Sequence, residues 1–445
     1  MRSRHSPRKI AWMAIMEFQK SGCGPDEILN SLFVDDIREC DRGLAWEITM
    51  GTIKYLRKLD HIAQAYIKAP MRSQKPEVAA ALRIGLYQLT EMTNIPQFAA
   101  VDETVSIIAE TKMNRDAGFV NAILREYTRA PEKAKFPDRG KEPRKYLAQF
   151  YSYPDWLVNR WFQRFGADET EKMLVAGNRR PPVFFRMLGN SGSFNEIKGH
   201  CREAGIGIED GRFFPEYFFT FQAYDTIKSV PFKQGKIIVQ DESQGLPVYL
   251  LEPPRGSEIL DLCSAPGGKT VALADHVGEN GRVFSVDLDR GRLESVRQNI
   301  ARVGLRNVDI ICEDLLEFAP GRKFEYILLD VPCSGLGTLW QNADLRWTKK
   351  EQDIMMLADM QERLLNKAAE LLAVGGRLAY STCTTEPEEI EEVIKRFLKF
   401  NNRFRIIHGI NEKIAAFETE EGFYRTWPHK HGMGGGGFAL LERIG

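Results

Sequence analysis

The stretch Glu258 to Thr270, EILDLCSAPGGKT, limits what this chain can fold into more than any other. Ile259, Leu260 and Leu262 form a short apolar run with Asp261 near its end. Ser264, Pro266, Gly267 and Gly268 are turn formers, and Lys269 opens a run of helical character. Strand, glycine-bearing turn and helix, in that order, present backbone N–H groups and a helix N-terminus to a ligand. The alternation continues from Gly235 onward. Strand-like segments are Ile237–Gln240, Glu258–Leu262, Val283–Val286, Val308–Ile311, Tyr326–Leu329 and Arg377–Tyr380. Helical segments are Lys269–Val277, Asp289–Val303, Lys350–Leu372 and Pro387–Phe397. This pattern predicts an α/β unit, an open and mostly parallel Rossmann-like sheet with helices on both faces. Ligands in such sheets sit at the carboxyl ends of the strands, so Asp261, Asp287, Asp314, Asp330 and Cys383 matter most.

At 445 residues the chain is too long for one ordinary core, and two or three domains are expected. Residues 1–135 read as an all-α bundle. Its amphipathic runs are Ile10–Gln19, Arg42–Leu56, Leu59–Ile67, Pro76–Thr90, Ala100–Thr111 and Ala117–Tyr127, and Asp102 follows Pro96 at a helix entry. Residues 136–235 read as linker and a small α+β unit. The Pro- and Lys/Arg-rich stretch 129–150 leads into a helix carrying Arg160 and Arg164, then a strand-like FFRML and the aromatic run FFPEYFF. Residues 236–445 form the α/β domain. Basic residues beside aromatics suit RNA. Core packing accounts for most of the aromatics, so the arginines are the better contact candidates, together with Arg2, Arg4, Arg8, Lys9, Arg125 and Arg129.

The basic residues (61) equal the acidic ones (61), so composition alone gives no argument for nucleic acid, and any basic surface is local. The N-terminal apolar stretch is interrupted by Glu17, Gln19 and Lys20 and lacks a cleavage site. It reads as an amphipathic helix that buries Ile10, Ala11, Ala14, Ile15 and Phe18. No apolar run approaches bilayer length, and a cytoplasmic protein without a membrane partner is expected. The seven cysteines include no Cys-x-x-Cys pair and the histidines no HExxH, so no metal site is expected.

Two ligands compete for the opening stretch. CSAPGGKT approaches the phosphate-binding pattern G-x-x-x-x-G-K-[ST], and YILLD ending at Asp330 resembles the strand that accompanies it. But Cys263 replaces the first glycine, and Pro266 has no N–H to give a phosphate. A nucleoside cofactor instead asks for an acid ending the next strand, about 20 residues on, to bind ribose hydroxyls. Asp287 stands there, with Asp314 and Asp330 closing later strands. The strand–turn–helix stretch carries no G-x-G-x-x-G, which disfavours a dinucleotide, and S-adenosyl-L-methionine fits better.

Cys333 in DVPCSGLGT and Cys383 in YSTCTTEPEE lie just past strands, among small polar residues where a core cysteine is not expected. Nearby helix N-termini can stabilise thiolates there. Carbon 5 of a pyrimidine is too weakly nucleophilic to accept a methyl group. Addition of a thiolate at carbon 6 makes it reactive, a carboxylate at the ring nitrogen promotes the addition, and after methyl transfer the carbon-5 proton must leave and the thiol be expelled. Two cysteines and a carboxylate suit that chemistry. Spacing alone does not say which cysteine attacks.

With DLCSAPGGKT, DVPCSGLGT and YSTCTTEPEE, the chain resembles the bacterial RNA 5-methylcytosine methyltransferases of the Sun/Fmu (RsmB) type. DRGLAWEITMGT, LRIGLYQLTEMTNIP, VDETV and GFVNAILR resemble the NusB-like domain that precedes the catalytic domain in that family. The resemblance implies a NusB-like bundle over 1–135, an RNA-binding middle subdomain over 136–235, and a class I methyltransferase domain over 236–445. It implies that Cys263, Ser264, Ala265, Pro266, Gly267, Gly268 and Lys269 hold the methionine part of S-adenosyl-L-methionine. It places Asp287 on the ribose, Asp314 by the adenine and Asp330 near the target base. By the same resemblance Cys383 is the nucleophile and Cys333 helps release the product. The implied substrate is RNA, most directly 16S ribosomal RNA, and the enzyme is expected to act as a monomer. Ser264 stands where the family commonly has alanine, and GMGGGGFALLER replaces a DGFF-like ending, which leaves the last hairpin open. The other function classes are an RNA-dependent ATPase using the Walker-like loop and a non-catalytic RNA-binding or antitermination factor.

Overall fold

Residues 6–33, 37–111, 114–189, 194–409 and 411–445 are described by the computed structural model. Arg2 and Arg4 lie outside them. Two compact units divide the chain: Met1–Asn178 with Asn342–Lys349, and Arg179–Gln341 with Lys350–Gly445.

The first unit is helical. Its helices are Pro7–Ser21, Pro25–Leu32, Glu39–Lys54, Leu56–Gln64, Pro76–Glu91, Gln97–Ala109, Ala117–Arg129, Pro143–Phe150 and Asp155–Asn178. Prolines open several of them, where the missing N–H costs nothing. Ile10, Ala11, Ala14, Ile15 and Phe18 are buried along one face, as their spacing predicts. Pro76–Glu91 is buried continuously from Val78 to Gln88, which makes it the central helix of this bundle.

Three expectations change here. Pro25–Leu32 is a helix that the periodicity does not single out. The helix after Pro96 begins at Gln97, so Asp102 lies inside it and pairs with Arg125 at 2.9 Å. The stretch 129–150 is not only linker. It carries the helix Pro143–Phe150, and Phe136 stacks edge-on against Phe150. The helix with Arg160 and Arg164 turns sharply at Gly166, where φ is 76°.

The segment Asn342–Lys349 belongs to this unit. Its Arg346 is fully buried, with the guanidinium 3.8 Å from the centre of the Tyr153 ring. It donates to Asn178 Oδ1 (2.8 Å) and to the carbonyls of Ser152 (3.2 Å), Gly177 (3.2 Å) and Lys54 (3.3 Å). Burial, and then the Arg346 charge, push the Lys54 ammonium down to about 8.

The second unit holds two sheets. β1 (Val183–Met187), β2 (Glu209–Asp210), β3 (Tyr217–Thr220) and β4 (Ile237–Val239) form an antiparallel sheet in the order β2-β3-β1-β4. Phe184, Phe185, Tyr217 and Phe218 are buried in it, so these aromatics are core. Ile237–Val239, expected in the large sheet, instead pairs with β1 here.

The large sheet contains β5 (Glu258–Leu262), β6 (Arg282–Asp287), β7 (Val308–Cys312), β8 (Phe324–Asp330), β9 (Leu372–Thr382), β10 (Phe404–Ile406), β11 (Tyr424–Thr426) and β12 (Gly436–Arg443). Its order is β10-β12-β9-β8-β5-β6-β7, with β11 on β12. β5 to β9 pair in parallel, while β12 runs antiparallel to β9 and β10. The strand order reverses direction at β5, which puts the crevice for a ligand beyond the carboxyl ends of β5, β6 and β8.

Candidate active site

The turn after β5 is shaped by its own sequence. Cys263 adopts φ 56° and Gly267 φ 97°. A side chain on Gly267 would be strained and would crowd Val296. Ser264 N–H donates to the carbonyl of Val286 (3.1 Å), which fastens the turn to β6. Ser285 Oγ donates to Ser264 Oγ (2.7 Å), a bond that an alanine at 264 would lack. Asp287, ending β6, accepts from Ala265 N–H (3.0 Å) and from Asp289 N–H (2.9 Å). Arg292 donates to the carbonyl of Ala265 (2.7 Å). Asp314 lies after β7 and accepts from Leu316 N–H (2.9 Å).

Lys269, in the first turn of helix Gly268–Val277, reaches across to the end of β8. Its Nζ donates to Asp330 Oδ2 (2.7 Å) and also to Gln244 Oε1. Ser381 Oγ donates to the other oxygen of Asp330 (2.8 Å), because β8 and β9 pair Asp330 with Ser381. Asp261 is fully buried and accepts from Thr270 Oγ1 (2.6 Å). Burial pushes its carboxyl up to about 7; the Thr270 bond opposes this, Asp330 adds to it, Lys269 opposes it and Asp287 adds to it.

Cys333 and Cys383 meet. Their sulfurs are 2.9 Å apart, although fifty residues separate them in sequence, and Cys383 N–H points at the Cys333 sulfur (3.3 Å). The hydrogen bond from the Cys333 thiol lowers the Cys383 thiol; burial opposes this, as does Asp330, while Lys269 reinforces it. The same bond, followed by burial, raises Cys333. Cys263 is raised above the ordinary thiol range by burial first, then by Asp287, Asp330 and Asp261. Of the three thiols at these strand ends, Cys383 is the one disposed to ionise.

The closing glycine run packs against these loops. Gly435 N–H donates to the carbonyl of Gly337 (2.8 Å), and Gly337 N–H to that of Cys383 (3.0 Å). A Cβ on Gly337 would sit 2.1 Å from the Gly435 oxygen. The last hairpin is therefore β11 paired with β12 and led in by these glycines.

Several groups at this site went unassigned in the sequence. Ser334, Thr384 and Glu389 stand within the two cysteine motifs, but only their fold position reveals their contacts. Gln244 has no local signal; it follows β4 at the start of helix Glu242–Leu251. Among the described residues, Asp261 Oδ1 and Gln240 Nε2 are buried polar atoms without a hydrogen-bond partner. Gln240 Nε2 lies 3.6 Å from where a side chain on Gly268 would start. Unsatisfied buried groups beside a glycine turn fit a polar ligand with both donors and acceptors, such as a nucleoside with an amino-acid tail. Among the described residues no cluster of three or more His, Cys, Asp or Glu is arranged to hold a metal ion. No helix among them is long and apolar enough to cross a membrane.

A parallel sheet ordered β7-β6-β5-β8-β9, an antiparallel β12 beside β9, a glycine turn after β5 and an acid ending β6 define a Rossmann-like methyltransferase that depends on S-adenosyl-L-methionine. Residues 248–442 match the family model described as 16S rRNA methyltransferase RsmB/F. Residues 5–129 match the NusB family, and 153–220 match the ferredoxin-like domain of RsmF/B-like methyltransferases. A Bacillus subtilis protein described as "Probable ribosomal RNA small subunit methyltransferase B" is 30% identical over 97% of each chain. The Pseudomonas putida ribosomal RNA small subunit methyltransferase B is 34% identical over 82% of this chain and 83% of its own. The crystal structure of PH0851 covers 100% of both chains at 25% identity with a TM-score of 0.81. This chain belongs to the RsmB/F family of small-subunit ribosomal RNA methyltransferases.

Proposed function

We propose that the protein methylates carbon 5 of a cytosine in 16S ribosomal RNA through a covalent adduct on Cys383. The observation that carries this reading is the Cys333–Cys383 pair at 2.9 Å beside the Lys269–Asp330 ion pair. Bound S-adenosyl-L-methionine supplies an electrophilic methyl group. The Cys383 thiolate adds to carbon 6 of the base, and the electrons of the 5,6 double bond make carbon 5 nucleophilic. Asp330, held by Lys269 and Ser381, serves the ring-nitrogen side of the base. Once carbon 5 carries the methyl group, water or a basic group takes the carbon-5 proton, and the Cys333 thiol, hydrogen-bonded to the Cys383 sulfur, stabilises the departing thiolate and so helps release the product. The carbon–sulfur bond then breaks and returns the Cys383 thiolate.

Cys263 to Lys269 hold the methionine part of the cofactor, Asp287 the ribose and Asp314 the adenine side. Residues 1–135 and 136–235 form the RNA-binding domains, and 236–445 the catalytic domain. The base is taken from an unpaired region or flipped from its stack. Lys269, already engaged by Asp330 and Gln244, is poorly disposed to hold a nucleoside triphosphate, which speaks against the ATPase reading.

The test uses RNA and cofactor with cysteine variants. Cys333→Ala accumulates a denaturation-resistant RNA–protein adduct that maps to Cys383 by mass spectrometry, while Cys383→Ala forms none and still binds cofactor. Full turnover in Cys383→Ala, or an adduct mapped elsewhere, contradicts the reading.

A further inference from the structure

One buried carboxylate joins the two cysteine loops. Glu389 is 0% exposed, and among the described residues no cation pairs with it. It accepts from four donors: Ser334 N–H (2.8 Å), Ser334 Oγ (2.5 Å), Thr384 Oγ1 (2.9 Å) and Gln361 Nε2 (3.0 Å). Ser334 directly follows Cys333, and Thr384 directly follows Cys383. Gln361 also donates to the carbonyl of Pro332 (2.9 Å), the residue before Cys333. The carbonyl of Glu389 is itself held by Tyr380 Oη (2.9 Å), from the end of β9. Ser334, Gln361, Thr384 and Tyr380 are all buried.

Burying a carboxylate without a counter-ion is costly unless its lone pairs are filled. An ionised carboxylate only accepts, so it can take four donors at once. A glutamine would turn its N–H groups either at the N–H donors of Ser334 and Gln361, losing those bonds, or at the Ser334 and Thr384 hydroxyls, which must then reverse and accept, and either way it replaces charge-assisted bonds by weaker neutral ones. An apolar residue would leave the Ser334 N–H unpaired and reduce the Ser334 and Thr384 hydroxyls to their bond with each other (2.8 Å). The bonds of the Glu389 carboxylate run to the two cysteine loops and to Gln361, and none runs to the helix Glu391–Phe400 that follows.

We propose that Glu389 is a positioning residue that sets the separation of Cys333 and Cys383. This rests on the reading that the two thiols carry the chemistry, but the geometry can be measured without any methyl transfer. Phenylarsine oxide bridges two thiols only when they are close. On the full-length protein it consumes the Cys333–Cys383 pair, and Cys383→Ser serves as the blank. In Glu389→Gln, bridging slows about tenfold or more, because the pair no longer reacts as one preformed unit. In the same variant kcat falls about 100-fold while KM for RNA and cofactor stays within about threefold. Glu389→Asp, which keeps the acceptor, recovers part of both. Thr384→Val, which removes one donor and leaves the carboxylate, shows the same split in smaller measure, and it decides the matter if Glu389→Gln does not fold. Wild-type bridging and kcat in Glu389→Gln, or in Thr384→Val where that variant decides, overturn the proposal. So does a loss of kcat that only tracks the folded fraction. Slowed bridging in Glu389→Gln together with failure of the Cys383 adduct test would keep the positioning role and reject the methyl-transfer chemistry instead.

Discussion

The sulfur of Cys383 lies 2.9 Å from that of Cys333, and the hydrogen bond between them separates the two thiols chemically. Cys383 is lowered by that bond, and Cys333 is raised by it. Iodoacetamide near neutral pH therefore labels Cys383 ahead of Cys263 and Cys333, by about tenfold in rate. Peptide mapping after partial labelling reads the order. Faster labelling of Cys263 or Cys333 contradicts the assignment of the reactive thiolate.

Asp261 gives a pH signature. Its carboxyl titrates at about 7 in the folded protein, raised from 3.8. The folded state therefore binds the proton more tightly. The stability this provides is full below the unfolded value and is lost as pH rises through about 7. Asp261→Asn has no such titration. Between about pH 4 and pH 7 the wild type loses about 2–4 kcal/mol relative to Asp261→Asn, measured by urea unfolding. A flat difference contradicts the buried, protonated Asp261.

Lys54 titrates with the opposite sign. Its ammonium is lowered to about 8 from 10.5, so the unfolded chain holds the proton more tightly. Wild-type stability relative to Lys54→Met rises as pH climbs from about 8 toward 10.5. Below that window both states are charged and the folded state carries the burial cost. Lys54→Met is then more stable at pH 7, by about 1–3 kcal/mol. Lower stability of the variant at pH 7 contradicts this.

Gly337 tests the glycine run. Its Cβ would meet the Gly435 carbonyl at 2.1 Å and the Cys383 carbonyl at 2.9 Å, both rigid backbone. Gly337→Ala lowers stability by about 1–3 kcal/mol, by thermal or urea unfolding, and lowers methyl transfer more than the folded fraction explains. An unchanged midpoint contradicts the close approach.

The catalytic fold was legible because its signals are local. The apolar run Ile259–Leu262, its glycine turn and the acids at the strand ends are each written in a few consecutive residues. The aromatic residues of the small sheet are core, as their dense apolar runs predict. Ile237–Val239 was misplaced, because a three-residue apolar strand carries no mark of which sheet it joins. The helix Pro143–Phe150 hid within a charged, proline-rich stretch whose apolar residues are few. The meeting of Lys269 with Asp330, and of Glu389 with Ser334 and Thr384, depends on strand register across the sheet, which no local pattern records. Gln244 and Gln361 are ordinary helix residues until the fold aims them.

The central claim concerns carbon 5. RNA transcribed with [5-3H]cytidine and incubated with the protein and S-adenosyl-L-methionine should release tritium to water in step with methyl transfer, about one per methyl group, because Cys383 attack activates the carbon that carries the label. Methyl transfer without tritium release would place the new methyl group elsewhere and contradict the account.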